Sequence, residues 1–249
     1  MFKVVIPARF ASSRLPGKPL LDIAGKPMVI QVAIQASKSQ ASEVVIATDH
    51  TTILQVAEQH GFASVMTRDD HPSGTDRIAE VVQKMHWSDE TIVVNVQGDE
   101  PLIDSVLINK VAQALRDDKL AVMATACHPI HEINAFENPN VVKVVLNIKG
   151  QAMYFSRAAI PFPRDAEYRD NLNAHRHIGI YAYRVGFLRQ YASLPVTMLE
   201  SVESLEQLRV LYHGYQIAVT VTEHAPASGV DTQADLDNVR EIFASLKNN

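Results

Sequence analysis

The sequence predicts an α/β fold built on a mostly parallel sheet with helices on both faces. Three observations carry this expectation. Short β-branched runs such as residues 2–6 (FKVVI), 43–48 (EVVIAT) and 91–96 (TIVVNV) lack polar alternation, as strands covered on both faces do. Stretches with apolar residues at helical spacing separate them, the alternation typical of parallel sheets. Beyond about residue 128 this rhythm changes, which predicts an elaboration of the sheet; no linker-like stretch sets it off as a separate domain.

In chain order, the strand at 2–6 stops at Pro7 and gives way to a polar segment, residues 8–18, before a helix over 28–37. The strand at 43–48 ends at Asp49, and a helix over 51–60 is closed by Gly61. A helix over 74–85, the strand at 91–96, a helix over 105–116 and a strand at 120–126 continue the pattern. Strands at 141–146 and 152–155 flank a turn at Lys149-Gly150. A strand at 177–183, a helix over 198–213, a strand at 216–222 and an amphipathic helix over 233–246 complete the chain. Residues 164–174, polar and rich in charge, are expected to be the least ordered part of the chain.

Composition narrows the function. A net charge of -5 disfavours a nucleic-acid binder that relies on a broad basic face, while leaving room for a locally basic pocket that takes an anionic small molecule. The single cysteine, Cys127, permits no intrachain disulfide and fits a reducing compartment, so the expected location is the cytoplasm. The apolar start is too short for a signal-peptide core, and no run is long enough for a membrane span.

In open α/β sheets ligands bind beyond the carboxyl ends of the strands, so the segments after Ile6, Thr48 and Val96 are the ones to read closely. Residues 7–18, PARFASSRLPGK, hold Arg9, Arg14 and Lys18 with no acid, beside Ser12, Ser13 and Gly17. Such a loop can cradle phosphates; the plainer alternative is a solvated basic loop. It is neither a Walker A loop nor a GxGxxG turn, which disfavours a nicotinamide-dependent dehydrogenase. In VNVQGDEPL, Asp99 follows a buried strand and a glycine, a placement suited to holding Mg²⁺ together with phosphate oxygens; a turn or helix-cap role competes. His175 and His177 would share one face of a strand, as would His177, Gly179 and Tyr181. No third ligand supports zinc at the histidine pair, whereas a polar wall with room beside Gly179 suits sugar hydroxyls.

These motifs, PARFASSRLPGKPL, SGTDR, VNVQGDEP, YFSRAAIPF, RHIGIYAYR, LEQLR and GVDT, run in order along essentially the whole chain. Together they resemble the CMP-Kdo synthetases, the 3-deoxy-D-manno-octulosonate (Kdo) cytidylyltransferases among the sugar nucleotidyltransferases. The resemblance implies a Rossmann-like nucleotidyltransferase in which Arg9 and Lys18 meet the triphosphate of CTP. Pro7, Ala8, Ser73 and Gly74 would lie on the nucleotide side, and Asp231 would join Asp99 at a Mg²⁺ site. It further implies sugar contacts from Gln97, His177, Tyr181, Glu206 and Gln207, with Arg157 and Arg164 as candidates for the sugar carboxylate. Asp231-Thr232 directly precedes a helix and could simply cap it; Ser73 could likewise cap the helix it precedes. Adjacent positions on a helix do not share a face, so one of Glu206 and Gln207 should reach deeper than the other.

The expected organisation is one domain over 1–249, with 1–127 and 223–249 serving the nucleotide and 128–222 the sugar and dimerisation. The expected activity is transfer of CMP to Kdo for lipopolysaccharide biosynthesis, with an amino-substituted octulosonate or a sialate as the alternative acceptor. The family implies a homodimer, with no nucleic-acid partner.

Overall fold

The computed structural model describes residues 1–12, 14–71, 73–168, 172–223 and 225–247. The chain forms two compact units: Met1–Asn109 with Arg184–Ala192 and Pro226–Asn249, and Lys110–Tyr183 with Ser193–Ala225. This division falls earlier than the one expected near residue 127, and residues 184–192 return to the first unit. The strand Ala121–Pro129 explains the shift, because its partners are Gln216–Val221 and His175–Arg184, which local periodicity does not reveal.

In the first unit four strands are all parallel, in the order Ile92–Asn95, Phe2–Ala8, Ala41–Thr48, Ala63–Met66. Val4, Val5 and Ile6 are fully buried in succession, so both faces of the central strand are covered. The crossover helices Met28–Ala36 and Thr51–Gln59 step one way along the sheet, and Gly74–Lys84 leads back past the first strand. With right-handed crossovers this places the first two on one face and the third on the other. All four strands therefore end on the same edge, at Ala8, Thr48, Met66 and Asn95.

A smaller cluster ties the distant ends of the chain together. Leu15, Ile23 and Met28 pack with Val230 and with Leu236, Val239 and Phe243 of the helix Gln233–Lys247. Those three helical positions recur at three- and four-residue spacing and so share one face. Burial of this face brings residues 230–232 to the segment that carries Lys18. The backbone N–H of Val230 then donates to the Asp99 carbonyl at 2.8 Å.

In the second unit Ala121–Pro129 lies parallel to Gln216–Val221 and antiparallel to His175–Arg184. The latter also pairs with Lys143–Leu146, which pairs in turn with Ala152–Ser156. The expected turn at Lys149-Gly150 is present: Asn147 Oδ1 accepts the N–H groups of Lys149 and Gln151, and Gly150 takes φ 74. The helix expected over 198–213 is two helices, Met198–Glu203 and Gln207–Tyr212. Ser204 breaks it by adopting the left-handed region at φ 51, after a capping box between Thr197 and Glu200 starts the first piece. The strand Ala63–Met66 and the helices Ile133–Glu137 and Val185–Tyr191 complete the architecture beyond what the periodicity predicts.

Candidate active site

The first unit holds a cavity of about 390 Å³ at the carboxyl edge of its parallel strands. Pro7, Ala8 and Arg9 enter it from the first strand, Ser12, Arg14, Lys18 and Pro19 from the basic loop, and Gly74 from a helix start. Gln97, Gly98 and Asp99 enter from the third strand-end segment, and Asp231 from the C-terminal region. Gly17, left-handed at φ 64, turns the loop into the short 3-10 helix Lys18–Leu20, which aims Lys18 inward. The Lys18 ammonium donates to Asp99 Oδ2 at 2.6 Å and to Asp231 Oδ1 at 3.2 Å. Arg14 adds a further ion pair to Asp231 at 3.3 Å.

Among the described residues neither the Asp99 nor the Asp231 carboxylate caps a helix; Asp99 pairs with Lys18, and Asp231 with Lys18 and Arg14. Asp99 follows a glycine that nothing larger could replace without movement, since a Cβ on Gly98 would lie 2.6 Å from the Pro7 carbonyl oxygen. The start of the final helix is closed by its neighbours instead. Thr232 Oγ1 accepts from Asp235 N–H, while Asp235 Oδ2 accepts from the N–H groups of Asp231 and Thr232. The Asp231 carboxylate is thus left to the cavity. Beside Asp99, burial and then the Asp99 charge push the Glu100 carboxyl up to about 8, which keeps a second negative charge off the neighbouring position at neutral pH.

Two carboxylate oxygens that converge on one ammonium define a point where positive charge is favoured. Hard oxygen donors of this kind, two in number, match the protein share of a Mg²⁺ site that is completed by phosphate oxygens and water. Among the described residues no group of three or more His, Cys, Asp or Glu side chains could hold a metal ion.

Around this core the nucleotide-side residues are braced. Arg9 Nη2 donates to the His71 carbonyl at 2.8 Å, linking the basic loop to the turn before the third helix. Ser73 is the N-cap of that helix, accepting from Asp76 N–H, while its neighbour Gly74 faces the cavity. Asp49, at the end of the second strand in chain order, was legible only as a strand-end residue and carries more than its position suggested. Its Oδ1 accepts from Phe10 N–H at 3.1 Å and its Oδ2 from the fully buried Arg77 at 2.9 Å. Phe10 also stacks on His50, with ring centroids 3.9 Å apart. Burial, chiefly, lowers the Arg77 pKa, but the Asp49 charge opposes this. Ser13 and Pro72 lie outside the described residues.

The remaining predicted residues sit in the second unit. His177, Gly179 and Tyr181 alternate in exposure with the buried Ile178 and Ile180, across a register shift between Ile178 and Tyr181 in the pairing with Ala121–Pro129. The His177 and Tyr181 rings are 5.4 Å apart, and a Cβ on Gly179 would meet open space. Burial pushes the His177 imidazole down to about 3, so it is neutral at physiological pH. Its Nε2 lies 3.0 Å from Thr125 Oγ1, whose own proton faces the carbonyls of Ile178 and Ile180 at 3.1 and 2.8 Å. The ring N–H is therefore assigned to Nε2, donating to the threonine.

Glu206 is exposed at the start of Gln207–Tyr212, whereas Gln207 is 3% exposed and its buried Nε2 has no protein partner among the described residues. Arg157 donates from Nε to the Glu203 carbonyl at 2.7 Å and from Nη1 to the Pro139 carbonyl at 3.1 Å. Arg164 is exposed and lines a second cavity, of about 280 Å³, with residues of the 161–174 stretch. Of that stretch, residues 169–171 lie outside the described residues.

With this geometry in hand, a family model described as cytidylyltransferase matches residues 3–217. The chain belongs to the cytidylyltransferase family. Among solved structures it is similar to a CMP:2-keto-3-deoxy-manno-octonic acid synthetase complexed with CTP, with a TM-score of 0.91 and 44% identity over 99% of this chain and 100% of that one. A cytidylyltransferase from Leptospira borgpetersenii serovar Hardjo-bovis (strain JB197) shares the fold, with a TM-score of 0.61 and 15% identity over 99% of this chain and 95% of that one. The chain thus has a mostly parallel α/β architecture of Rossmann-like type, as the strand and helix pattern predicts.

Proposed function

We propose that this cytidylyltransferase transfers CMP from CTP to 3-deoxy-D-manno-octulosonate, releasing pyrophosphate, as a Mg²⁺-dependent step of lipopolysaccharide biosynthesis in the cytoplasm. The observation that carries the acceptor is the 44% identity, over essentially the full length, to a synthetase named for that sugar acid. The convergence of Asp99 and Asp231 on Lys18 supports the metal and the triphosphate.

In this reading Asp99 and Asp231 hold Mg²⁺, which would neutralise triphosphate charge and acidify the attacking hydroxyl. Lys18, next to the carboxylates, supplies a point charge to the phosphates, and Arg9 a planar fork. The Pro7–Ala8 backbone and Gly74 offer close approach to the nucleotide, with Ser73 setting the start of the helix behind it. Gln97 is assigned to the sugar, as are Arg157, Arg164, His177, Tyr181, Glu206 and Gln207. Neutral His177 serves as a hydrogen-bonding wall rather than a base, because its imidazole does not take a proton near pH 7. The anomeric hydroxyl displaces pyrophosphate in line at the α-phosphorus with no covalent enzyme intermediate, so orientation and charge neutralisation supply the rate.

A homodimer through the second unit is part of the proposal. Most of the large exposed apolar side chains among the described residues lie there, including Met153, Met198, Val202 and Tyr212. Met198 and Val202 are four apart on one helix and share a face.

Pyrophosphate release, measured with CTP and Mg²⁺ against a panel of acidic sugars, tests the assignment. Kdo is expected to be the best acceptor, with UTP a poor donor. A higher kcat/KM for sialate or an amino-substituted octulosonate would transfer the assignment to that sugar.

A further inference from the structure

We infer that Glu203 is a positioning residue for acceptor recognition, fixing Arg157 in the orientation that takes the sugar carboxylate. This rests on the proposed role of Arg157.

Glu203 closes the helix Met198–Glu203, just before the left-handed Ser204 and the segment that presents Gln207. Its carboxylate does not pair with the Arg157 guanidinium. Instead Oε1 accepts from Ser156 Oγ at 2.6 Å and Oε2 from the backbone N–H of Arg157 at 2.9 Å. The Glu203 carbonyl accepts from Arg157 Nε at 2.7 Å. On the other side of the same residue, the fully buried Lys143 donates to the Arg157 carbonyl at 2.6 Å, and also to the carbonyls of Val141 and Asn138. Both backbone ends of Arg157 are thus held by charged side chains.

The consequence for the guanidinium is specific. Its Nε and one Nη1 hydrogen are spent on the carbonyls of Glu203 and Pro139, while Nη2 has no partner among the described residues. Neutral carbonyls orient the group without cancelling its charge. An acid that bonded it directly would compete with an incoming carboxylate, whereas this one is engaged by a hydroxyl and a backbone N–H. A planar donor that is oriented before the ligand arrives loses less freedom on binding. The same carboxylate links two segments that the sequence pointed to separately, YFSRAAIPF and SLEQLR.

Glutamine at 203 keeps the size but offers only one oxygen acceptor for two donors. Its effect should therefore fall on the sugar, and it should act through Arg157. The experiment compares Glu203→Gln, Arg157→Ala and the double variant in steady-state pyrophosphate release with varied Kdo and with varied CTP. The expected result is a Kdo KM raised by about tenfold in Glu203→Gln, the order expected for loss of a hydrogen bond to a charged group, with the CTP KM within about twofold. Arg157→Ala should raise the Kdo KM at least as much, and the double variant should match Arg157→Ala alone.

An unchanged Kdo KM in Glu203→Gln, beside a raised one in Arg157→Ala, overturns the positioning role and leaves the role of Arg157 standing. Multiplicative effects in the double variant overturn it too, because Glu203 would then act independently. An unchanged Kdo KM in Arg157→Ala overturns the Arg157 assignment itself, and the positioning role with it. If Glu203→Gln does not fold, Glu203→Asp, which withdraws the carboxylate by one methylene, supplies the same comparison with the same readings.

Discussion

Replacing Gly98 by alanine tests how closely Asp99 must be placed. The new Cβ would stand 2.6 Å from the Pro7 carbonyl oxygen, 3.5 Å from the Pro7 carbonyl carbon and 3.6 Å from Ala8 Cα. These are backbone atoms of the central strand, where Pro7 and Ala8 are in register with Ala47 and Thr48, so no flexible side chain can move aside. Restoring 3.0 Å, the lower limit for real Cβ contacts, requires the two backbones to part by about 0.4 Å, and ordinary contact at 3.4 Å requires about 0.8 Å. Asp99 is the next residue and moves with the displaced segment, which disturbs its 2.6 Å contact with Lys18. Overpacking of this kind costs about 1–3 kcal/mol of stability. Misplacing a catalytic group by up to about 1 Å costs up to about 100-fold in rate. Gly98→Ala is therefore expected to lower Tm by several degrees and to lower kcat for pyrophosphate release by about 10- to 100-fold in protein that remains folded. A folded variant with kcat within twofold of wild type would refute the claim that the close approach of Gly98 to Pro7 sets the position of Asp99.

Three further outcomes follow from the same geometry. Asp99→Asn should reduce kcat by about 10²–10³-fold, the usual effect of losing an electrostatic contact to the transition state; turnover within a few-fold of wild type would remove Asp99 from the centre of the account. Because burial holds the folded His177 pKa near 3 against an ordinary 6.5, the unfolded chain binds more protons between those values. The His177 contribution should therefore reduce stability as pH falls from about 6.5 towards 3, and His177→Gln should flatten that part of a stability–pH profile; an unchanged slope would contradict the assignment of a neutral imidazole. Asp49→Asn should raise the CTP KM with the Kdo KM little changed, because Phe10 N–H and Arg77 share the lost charge; an equal effect on both substrates would count against its bracing role.

What the sequence disclosed follows a physical division between local and long-range information. Consecutive apolar residues 4–6 and helical spacing after them expose the parallel unit, because burial on both faces leaves its mark on neighbouring positions. The basic loop and Asp99 were legible for a similar reason: each follows directly on a buried strand, at the edge where such sheets bind ligands. The meeting of Asp99 with Asp231 is different. It depends on Leu15, Ile23 and Met28 packing against Val230 and the last helix, a contact across most of the chain that only the family resemblance anticipated.

Asp49 and Arg77 show the same limit at closer range. Each had a visible place, one at a strand end and one in SGTDR, but their pairing requires two elements to be brought together in space. Local signals also failed where they were weak. The strand Ala63–Met66 is half-buried and pairs only at the sheet edge, and the helix Val185–Tyr191 starts without a side-chain cap directly after a strand. The break at Ser204 was concealed because apolar residues continue at helical spacing through it, while the left-handed backbone there is adopted by a residue other than glycine.

The central claim is that two acids far apart in sequence, Asp99 and Asp231, jointly hold a divalent cation on the triphosphate. Titrating Mn²⁺ into the enzyme–CTP complex and following free Mn²⁺ by electron paramagnetic resonance measures this without turnover. Binding by wild type that is weakened by at least about tenfold in both Asp99→Asn and Asp231→Asn is the predicted result. Wild-type affinity in either variant would contradict a shared site.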